Sequence, residues 1–380
     1  MSVESTPHYS NVTYVDPITL SVNFPSHSHI FDSGAKAAWQ EGWNGSGSTI
    51  SVIDDFDFKQ TSLNVPISYT AIFRISSVGA LFQAQYKKNM SLVFPMSHGD
   101  LVSGLAGGKP SNWQHTEVQM QDYVLTACSS IQNLSCPPSY PASDRFAQGL
   151  VQAQGVAKNA LVTNNHVGLG DNLDPVRFFT LLQGHLSNSA RSTVVNLSFG
   201  RQVQIGNLSI ENLINETKNT RVASTVSAVI TVAAGNDKAP CVIDNFATCN
   251  AIAAALVHQQ ETKFNTIVVG ALAGSGVSEN IASYSNRAGA LAQRYLMARG
   301  DAYGLPGGGT SFAAPRVAGA AAILKQRYPG LTGKQIADVL LLSANKDINN
   351  DGTPDFEGVS QIYGHGKLDL QRAMQLAEAL

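Results

Sequence analysis

With 380 residues, 43% of them hydrophobic and only 14% charged, the chain holds enough apolar mass for one large α/β domain or two smaller ones. A net charge of −2, from 25 basic and 27 acidic residues with no long basic run, argues against nucleic-acid partners and anionic membrane surfaces. The longest uncharged apolar run, Val222 to Ala234, falls short of the ~20 residues of a transmembrane helix and holds Ser and Thr.

Residues 1–30 are rich in Ser, Thr, Pro and His and read as an extended N-terminal arm. Ser33 to Trp43 has the pattern of a short amphipathic helix, ended by a turn at Asn44-Gly45-Ser46-Gly47. Thr49-Ile50-Ser51-Val52-Ile53 is a continuous apolar run, the mark of a parallel strand buried on both faces. It closes on Asp54-Asp55-Phe56-Asp57. His98-Gly99 opens a small-residue helix that reaches about Gly108. From Lys109 to about Gln148 the composition turns to Trp, Pro, Tyr and polar residues, which reads as an insertion at 109–148 with little core of its own.

Apolar stretches at 160–162, 194–200, 228–237 and 266–271 then alternate with helical patterns near 174–187 and 210–224. Alternation of this kind predicts an α/β fold, a doubly wound, mostly parallel central sheet with helices on both faces. Polar residues at the C-terminal ends of such strands lie where open sheets hold their ligands. Last comes the glycine loop Gly307-Gly308-Gly309, able to bring backbone close to a ligand, and a helix rich in small apolar residues. Ser311 falls at that helix's N-terminus, where free N–H groups favour negative charge, and Pro315 is expected in its first turn.

The four cysteines fall as Cys128/Cys136 and Cys241/Cys249, two pairs of identical spacing. Two local disulfides, Cys128–Cys136 and Cys241–Cys249, are the economical reading, with buried free thiols as the alternative. Zinc is disfavoured, since no C-x-x-C occurs and neither loop holds a histidine. Local pairs imply an oxidising compartment. Met1-Ser2-Val3-Glu4-Ser5 has no basic n-region and no apolar h-region. The expectation is therefore a secreted, cell-surface or periplasmic protein whose signal peptide has been removed.

Asp54, His98, Asn236 and Ser311 all stand at strand ends or helix starts, and their types supply one chemistry. A serine hydroxyl is a weak nucleophile until a histidine takes its proton, and the histidine needs a carboxylate to fix its tautomer. A side-chain amide at Asn236 can donate to the resulting oxyanion beside backbone N–H groups of the Ser311 turn. Ile53-Asp54-Asp55, His98-Gly99, Asn196-Leu197-Ser198-Phe199-Gly200, Ala233-Ala234-Gly235-Asn236 and Gly309-Thr310-Ser311-Phe312-Ala313-Ala314-Pro315, in that order, resemble the subtilisin-like serine proteases. Lesser echoes lie at 155–157, 283–287 and 363–369, and the whole is closest in character to bacterial secreted or autotransporter-passenger members.

The resemblance covers roughly residues 31–380 and implies a catalytic domain there. It implies a serine endopeptidase with a triad of Asp54, His98 and Ser311, an oxyanion hole at Asn236 and no cofactor for the chemistry. It also implies that the backbone of Ser198, Phe199 and Gly200 pairs with an extended peptide while Ala233, Ala234 and Gly235 wall the primary pocket. Asp237 at the pocket mouth either favours a basic side chain or is a solvated loop residue. The expected partner is a protein or peptide substrate, and the chain is expected to be a monomer.

Two departures from the family pattern stand out. Asp55 and Phe56 follow Asp54 where Ser or Thr and then Gly are usual, and Asp55 and Asp57 stand as second and third choices for the carboxylate. Asp100-Leu101-Val102 follows His98-Gly99 in place of Thr-His-Val. These leave an alternative, a catalytically impaired protein of this fold that uses the 109–148 insertion as a contact surface. Sedolisins share the Gly-Thr-Ser loop but use Glu as base and Asp in the oxyanion hole, so His98 and Asn236 set them aside.

Asp347, Asn349, Asp351 and Asp355 alternate with Gly352 at a sharp turn, like the first nine positions of an EF-hand loop, but Gly358 stands at the twelfth. A structural Ca²⁺ turn and a plain Asx-turn loop both remain open. Asn-x-Ser/Thr triplets occur at Asn11, Asn44, Asn89, Asn133, Asn196, Asn207 and Asn215, but Asn196 falls in the buried substrate strand, so they do not establish glycosylation. His166 reads as structural.

Overall fold

The apolar run at 49–53, with Asp54 at its end, forms the strand around which the main sheet is laid out. The computed structural model describes residues 33–54, 70–75, 80–86, 98–107, 117–119, 123–128, 148–150, 155–166, 192–199, 227–242, 250–274, 279–302 and 305–380. In chain order the elements are α1 (Ala35–Gln40), β1 (Thr49–Asp54), β2 (Thr70–Ile75), β3 (Ala80–Tyr86), α2 (His98–Gly107), β4 (Glu117–Gln119), β5 (Tyr123–Cys128), β6 (Gln148–Leu150), β7 (Leu161–His166) and β8 (Val194–Leu197). They continue with β9 (Val229–Ala233), α3 (Ala251–His258), β10 (Thr266–Ala273), β11 (Asn280–Ile281), a 3₁₀ turn at Gly289–Arg294, β12 (Tyr295–Arg299), β13 (Asp301–Ala302), β14 (Leu305–Gly308), α4 (Thr310–Arg327), α5 (Gly333–Leu342) and α6 (Leu370–Glu378).

β1 pairs in parallel with β7 on one side and β8 on the other. The sheet runs on in parallel through β9 and β10 to β12, with β11 added antiparallel to β10. β7 and β8 are joined across β1, so the C-terminal end of β1 is a switch point where open α/β sheets hold ligands. Asp54 is its last residue.

Side chains alternate across the sheet into two cores. Ile50, Val52, Ile267, Val269 and Ala271 pack against α1, α2, α4, α5 and α6. Ile53, Leu197, Ile230, Val232 and Val268 face α3 on the other side. The expected doubly wound, mostly parallel sheet with helices on both faces is what the chain builds. Helix α4 is buried along most of its length, as its Ala, Gly and Val content requires. Gly319 is where it meets α2. A Cβ there would stand 2.5 Å from Ala106 O and 2.6 Å from Val156 Cβ, so a methyl group would push the two helices apart. Gly319→Ala is expected to lower stability by ~1–3 kcal/mol, the usual cost of overpacking, measured by urea unfolding. A change below ~0.5 kcal/mol would mean the contact can relax.

One local expectation fails. α4 starts at Thr310, directly on the glycine loop, so Pro315 is its sixth residue and lies past the first turn. There its missing N–H deprives the Ser311 carbonyl of its helical partner.

Within the 109–148 stretch, β5 pairs antiparallel with β3, which pairs with β2, so this stretch shares a three-stranded sheet with residues 70–86. β2 lies beside β14, the strand leading into the serine loop. The arm at 1–30 and the helices expected near 174–187 and 210–224 lie outside the described residues, as do Asp55, Asp57, Cys136, Gly200 and Cys249. Among the described residues no helix is long and apolar enough to cross a membrane.

Candidate active site

β1 brings Asp54, wholly buried, to the sheet's C-terminal edge, and α2 starts beside it with His98. His98 Nδ1 lies 2.8 Å from Asp54 Oδ1, and the histidine side chain is 40% exposed. An ionised carboxylate only accepts, so Nδ1 donates to it, and in a neutral imidazole Nε2 then keeps the lone pair. The close crossing of α2 and α4 sets the imidazole against Phe312, ring centroids 5.4 Å apart, next to Ser311 in the chain. Among the described residues no hydrogen bond joins Ser311 to His98.

Ser311 is half-buried in the first turn of α4. Gly309 before it is held by Gly309 N–H donating to Gly300 O at 2.9 Å. A Cβ on Gly309 would stand 2.7 Å from Ser311 Oγ and 3.5 Å from Asn236 Nδ2. The missing side chain therefore leaves open a space that the hydroxyl and the amide both border.

Asn236 is aimed by Thr310. Its Oδ1 accepts from Thr310 N at 2.9 Å and Thr310 Oγ1 at 3.1 Å, while Thr310 Oγ1 accepts from Gly235 N at 3.0 Å. With the oxygen so engaged, the NH₂ end is the one left toward Gly309. Gly235 has φ +101, and a Cβ there would lie 2.5 Å from Asn286 Nδ2, so only glycine carries the chain from β9 into Asn236.

The segments expected to line a substrate groove stand side by side because β8 and β9 are neighbours. Asn250, buried at the N-terminus of α3, donates through Nδ2 to Phe199 O at 3.2 Å and to Ala233 O at 2.5 Å, tying the two segments together. Ser198 Oγ accepts from Asn196 Nδ2 at 2.8 Å, and Asn196 Oδ1 accepts from Thr231 Oγ1 at 2.8 Å. Asn196 is fully buried, so this triplet is structural and admits no glycan. Ala233 and Ala234 are buried, whereas Asn236 and Asp237 are exposed. Asn286 holds this turn, accepting from Asp237 N at 2.8 Å and donating to Ala234 O at 3.0 Å.

Thr310 and Asn250 were not singled out from sequence. Asn250 had a readable signal, an Asn directly before an apolar helix, and its Oδ1 indeed caps Ile252 N at 3.0 Å.

The oxygens of Asp347, Asn349, Asp351 and Asp355 are directed at their own loop. Asp347 accepts from Asp351 N at 3.1 Å and Gly352 N at 3.0 Å. Asn349 Oδ1 accepts from Asp351 N at 3.0 Å, and Asp355 Oδ2 from Ile348 N at 2.6 Å. Asp351 accepts from Thr353 N at 2.9 Å and Thr353 Oγ1 at 2.6 Å, and these bonds hold its carboxyl below the usual range. The donor type suits calcium, but the arrangement is one of linked Asx turns. Among the described residues no three His, Cys, Asp or Glu side chains are grouped to hold a metal.

Residues 45–366 match the subtilase family, Peptidase S8. Serotype-specific antigen 1 of Mannheimia haemolytica is 35% identical over 111 residues, covering 25% of this chain and 11% of that protein. A calcium-dependent protease of Trichormus variabilis (strain ATCC 29413 / PCC 7937) is 36% identical over 70 residues, covering 18% and 11%. The similarity thus spans only 11% of the length of each of these relatives. Among solved structures, the prenylagaramide maturation protease PagA aligns with 90% of this chain and 98% of its own, at 17% identity and a TM-score of 0.52, a likeness of fold. With the family match running through β1, α2, β8, β9 and α4, the chain belongs to the subtilase family.

Proposed function

We propose that the protein is a serine endopeptidase in which Ser311 is the nucleophile, His98 the general base, Asp54 the orienting carboxylate and Asn236 an oxyanion donor. The observation that carries this reading is the space bordered by both Ser311 Oγ and Asn236 Nδ2, with the His98–Asp54 pair held against Phe312. Ser311 Oγ attacks the scissile carbonyl carbon as its proton passes to His98 Nε2. The carbonyl oxygen becomes an anion and accepts from Asn236 Nδ2 and backbone N–H at the start of α4. The imidazolium, stabilised by Asp54, gives its proton to the leaving amine as the C–N bond breaks, and water then releases the acyl group by the same route. Backbone of Ser198, Phe199 and Gly200 takes the peptide as an added strand, and Ala233, Ala234 and Gly235 bound the primary pocket.

The purified protein is expected to cleave an unstructured protein and a tetrapeptide anilide. Asn236→Ala is expected to lower kcat by ~10²–10³, a magnitude carried over from subtilisin, itself a member of this family. A loss below about threefold would remove Asn236 from the oxyanion hole. The impaired-binder alternative has less support, because all four chemical groups are kept.

Secretion and the pairs Cys128–Cys136 and Cys241–Cys249 belong to the same proposal, supported by the identical spacing of the two pairs in the sequence. The catalytic unit is assigned to 31–380, with 109–148 shaping access for long substrates, supported by β2 lying beside β14. The 347–355 loop is assigned a structural role without calcium, supported by its internal hydrogen bonds. Equal melting temperatures in EDTA and in excess calcium are expected. A calcium-dependent rise that Asp351→Ala abolishes would instead assign a cation there.

A further inference from the structure

The helix that carries Ser311 also buries an arginine among alanines. Arg316 is 1% exposed, a position a guanidinium occupies stably only when its N–H groups are well used. Its Nη1 donates to Phe312 O at 2.6 Å and Arg299 O at 2.7 Å, and its Nη2 to Asp301 O at 2.7 Å. The Asp301 carboxylate lies 3.5 Å from Nη2 and also holds Arg299 Nε at 2.8 Å.

Arg299 and Asp301 flank Gly300, the residue whose carbonyl takes the Gly309 N–H at 2.9 Å. The Tyr284 hydroxyl donates to the same carbonyl at 3.2 Å. Burial, with Asp301 nearby, pushes that phenol up to about 12, so it stays protonated. Position 300 accepts no side chain, since a Cβ would lie 2.5 Å from Tyr284 Oη and 2.6 Å from Ala271 Cβ.

These contacts close a ring. It runs from Ser311 along α4 to Arg316, across to 299 and 301, through Gly300 to Gly309, and back to Ser311. Pro315 gives the ring its purpose, because it removes the N–H that would have held the Ser311 carbonyl in the helix ladder. The turn that presents the hydroxyl is short of one of its own bonds. Arg316 braces it from the side.

We infer that Arg316 is a positioning residue for the Ser311 turn, fixing Gly309, Thr310 and Ser311 against Asn236 by clamping the start of α4 to residues 299–301. The inference rests on the proposed function, and its test separates the two. Hydrolysis of a tetrapeptide anilide is measured for the wild-type chain, Arg316→Lys and Arg316→Gln, with kcat expressed per molecule folded by circular dichroism. A lysine ammonium lacks the planar fork that spans these three carbonyls, so kcat is expected to fall about tenfold or more in both variants while KM changes less than about threefold. A merely structural arginine would lower the folded fraction and leave kcat per folded molecule unchanged, and that result would overturn the inference. Should the Arg316 variants fail to fold, Asp301→Asn decides, because it weakens the clamp from its half-buried side. A threefold or larger fall in kcat at constant KM supports the clamp, and an unchanged kcat overturns it. A folded wild type without turnover would overturn the proposed function and this inference together.

Discussion

Replacing Ser311 with alanine is expected to abolish peptide hydrolysis while leaving the melting temperature within a few degrees of wild type. The hydroxyl is half-buried at a helix start, and the space beside it is kept open by Gly309, so removing one oxygen disturbs little packing. What it removes is the proposed nucleophile, the atom that would form the acyl bond. In subtilisin, of the same family, loss of the nucleophile lowers kcat by ~10⁶, and a fall of that order is expected here. Turnover of the purified variant near the wild-type rate would sink the assignment of Ser311.

The second large effect concerns Asp54. Asp54→Asn keeps the shape of a side chain that is fully buried, yet it replaces an acceptor-only carboxylate by a group that can also donate. The imidazole then loses the contact that fixes its proton on Nδ1, and Nε2 is no longer reliably the free base. A fall in kcat of ~10⁴ with little change in KM is expected. Asp55→Asn and Asp57→Asn serve as the comparison, each expected to stay within about threefold of wild type. A large loss in either, with Asp54→Asn nearly unaffected, would move the carboxylate role along the chain.

The central sheet was legible because its signals are local. The uninterrupted apolar run at 49–53 can only be satisfied by burial on both faces, and the polar residue that ends it marks the ligand edge. The glycine loop and the small-residue helix around Ser311 were legible for the same reason, since close packing at Gly319 admits no larger side chain. The parts that escaped are decided by partners far away in sequence. Nothing near Arg316 tells that its guanidinium will end on Arg299 O and Asp301 O. Asn250 reads as a helix cap, but its second duty, bridging Phe199 O and Ala233 O, exists only once β8 and β9 are paired. The sheet formed by β2, β3 and β5 joins residues 70–86 to 123–128 across the α2 helix, a long-range pairing that a change of composition at Lys109 could not announce. The 347–355 loop was ambiguous because alternating Asp and Asn oxygens suit an ion and backbone N–H groups equally well. The hydrogen bonds within the loop, rather than the spacing, support the latter, and the comparison of EDTA with excess calcium tests it.

The most direct test of the account is covalent labelling by a fluorophosphonate, which reacts with a serine only when a base and an oxyanion site activate it. Wild-type protein is expected to take up one equivalent, with the phosphonyl adduct mapped by mass spectrometry to Ser311, and His98→Ala is expected to remove the labelling. Folded wild-type protein that takes up no probe, or takes it up at another serine, would contradict the proposal that Ser311, His98 and Asn236 form a catalytic centre.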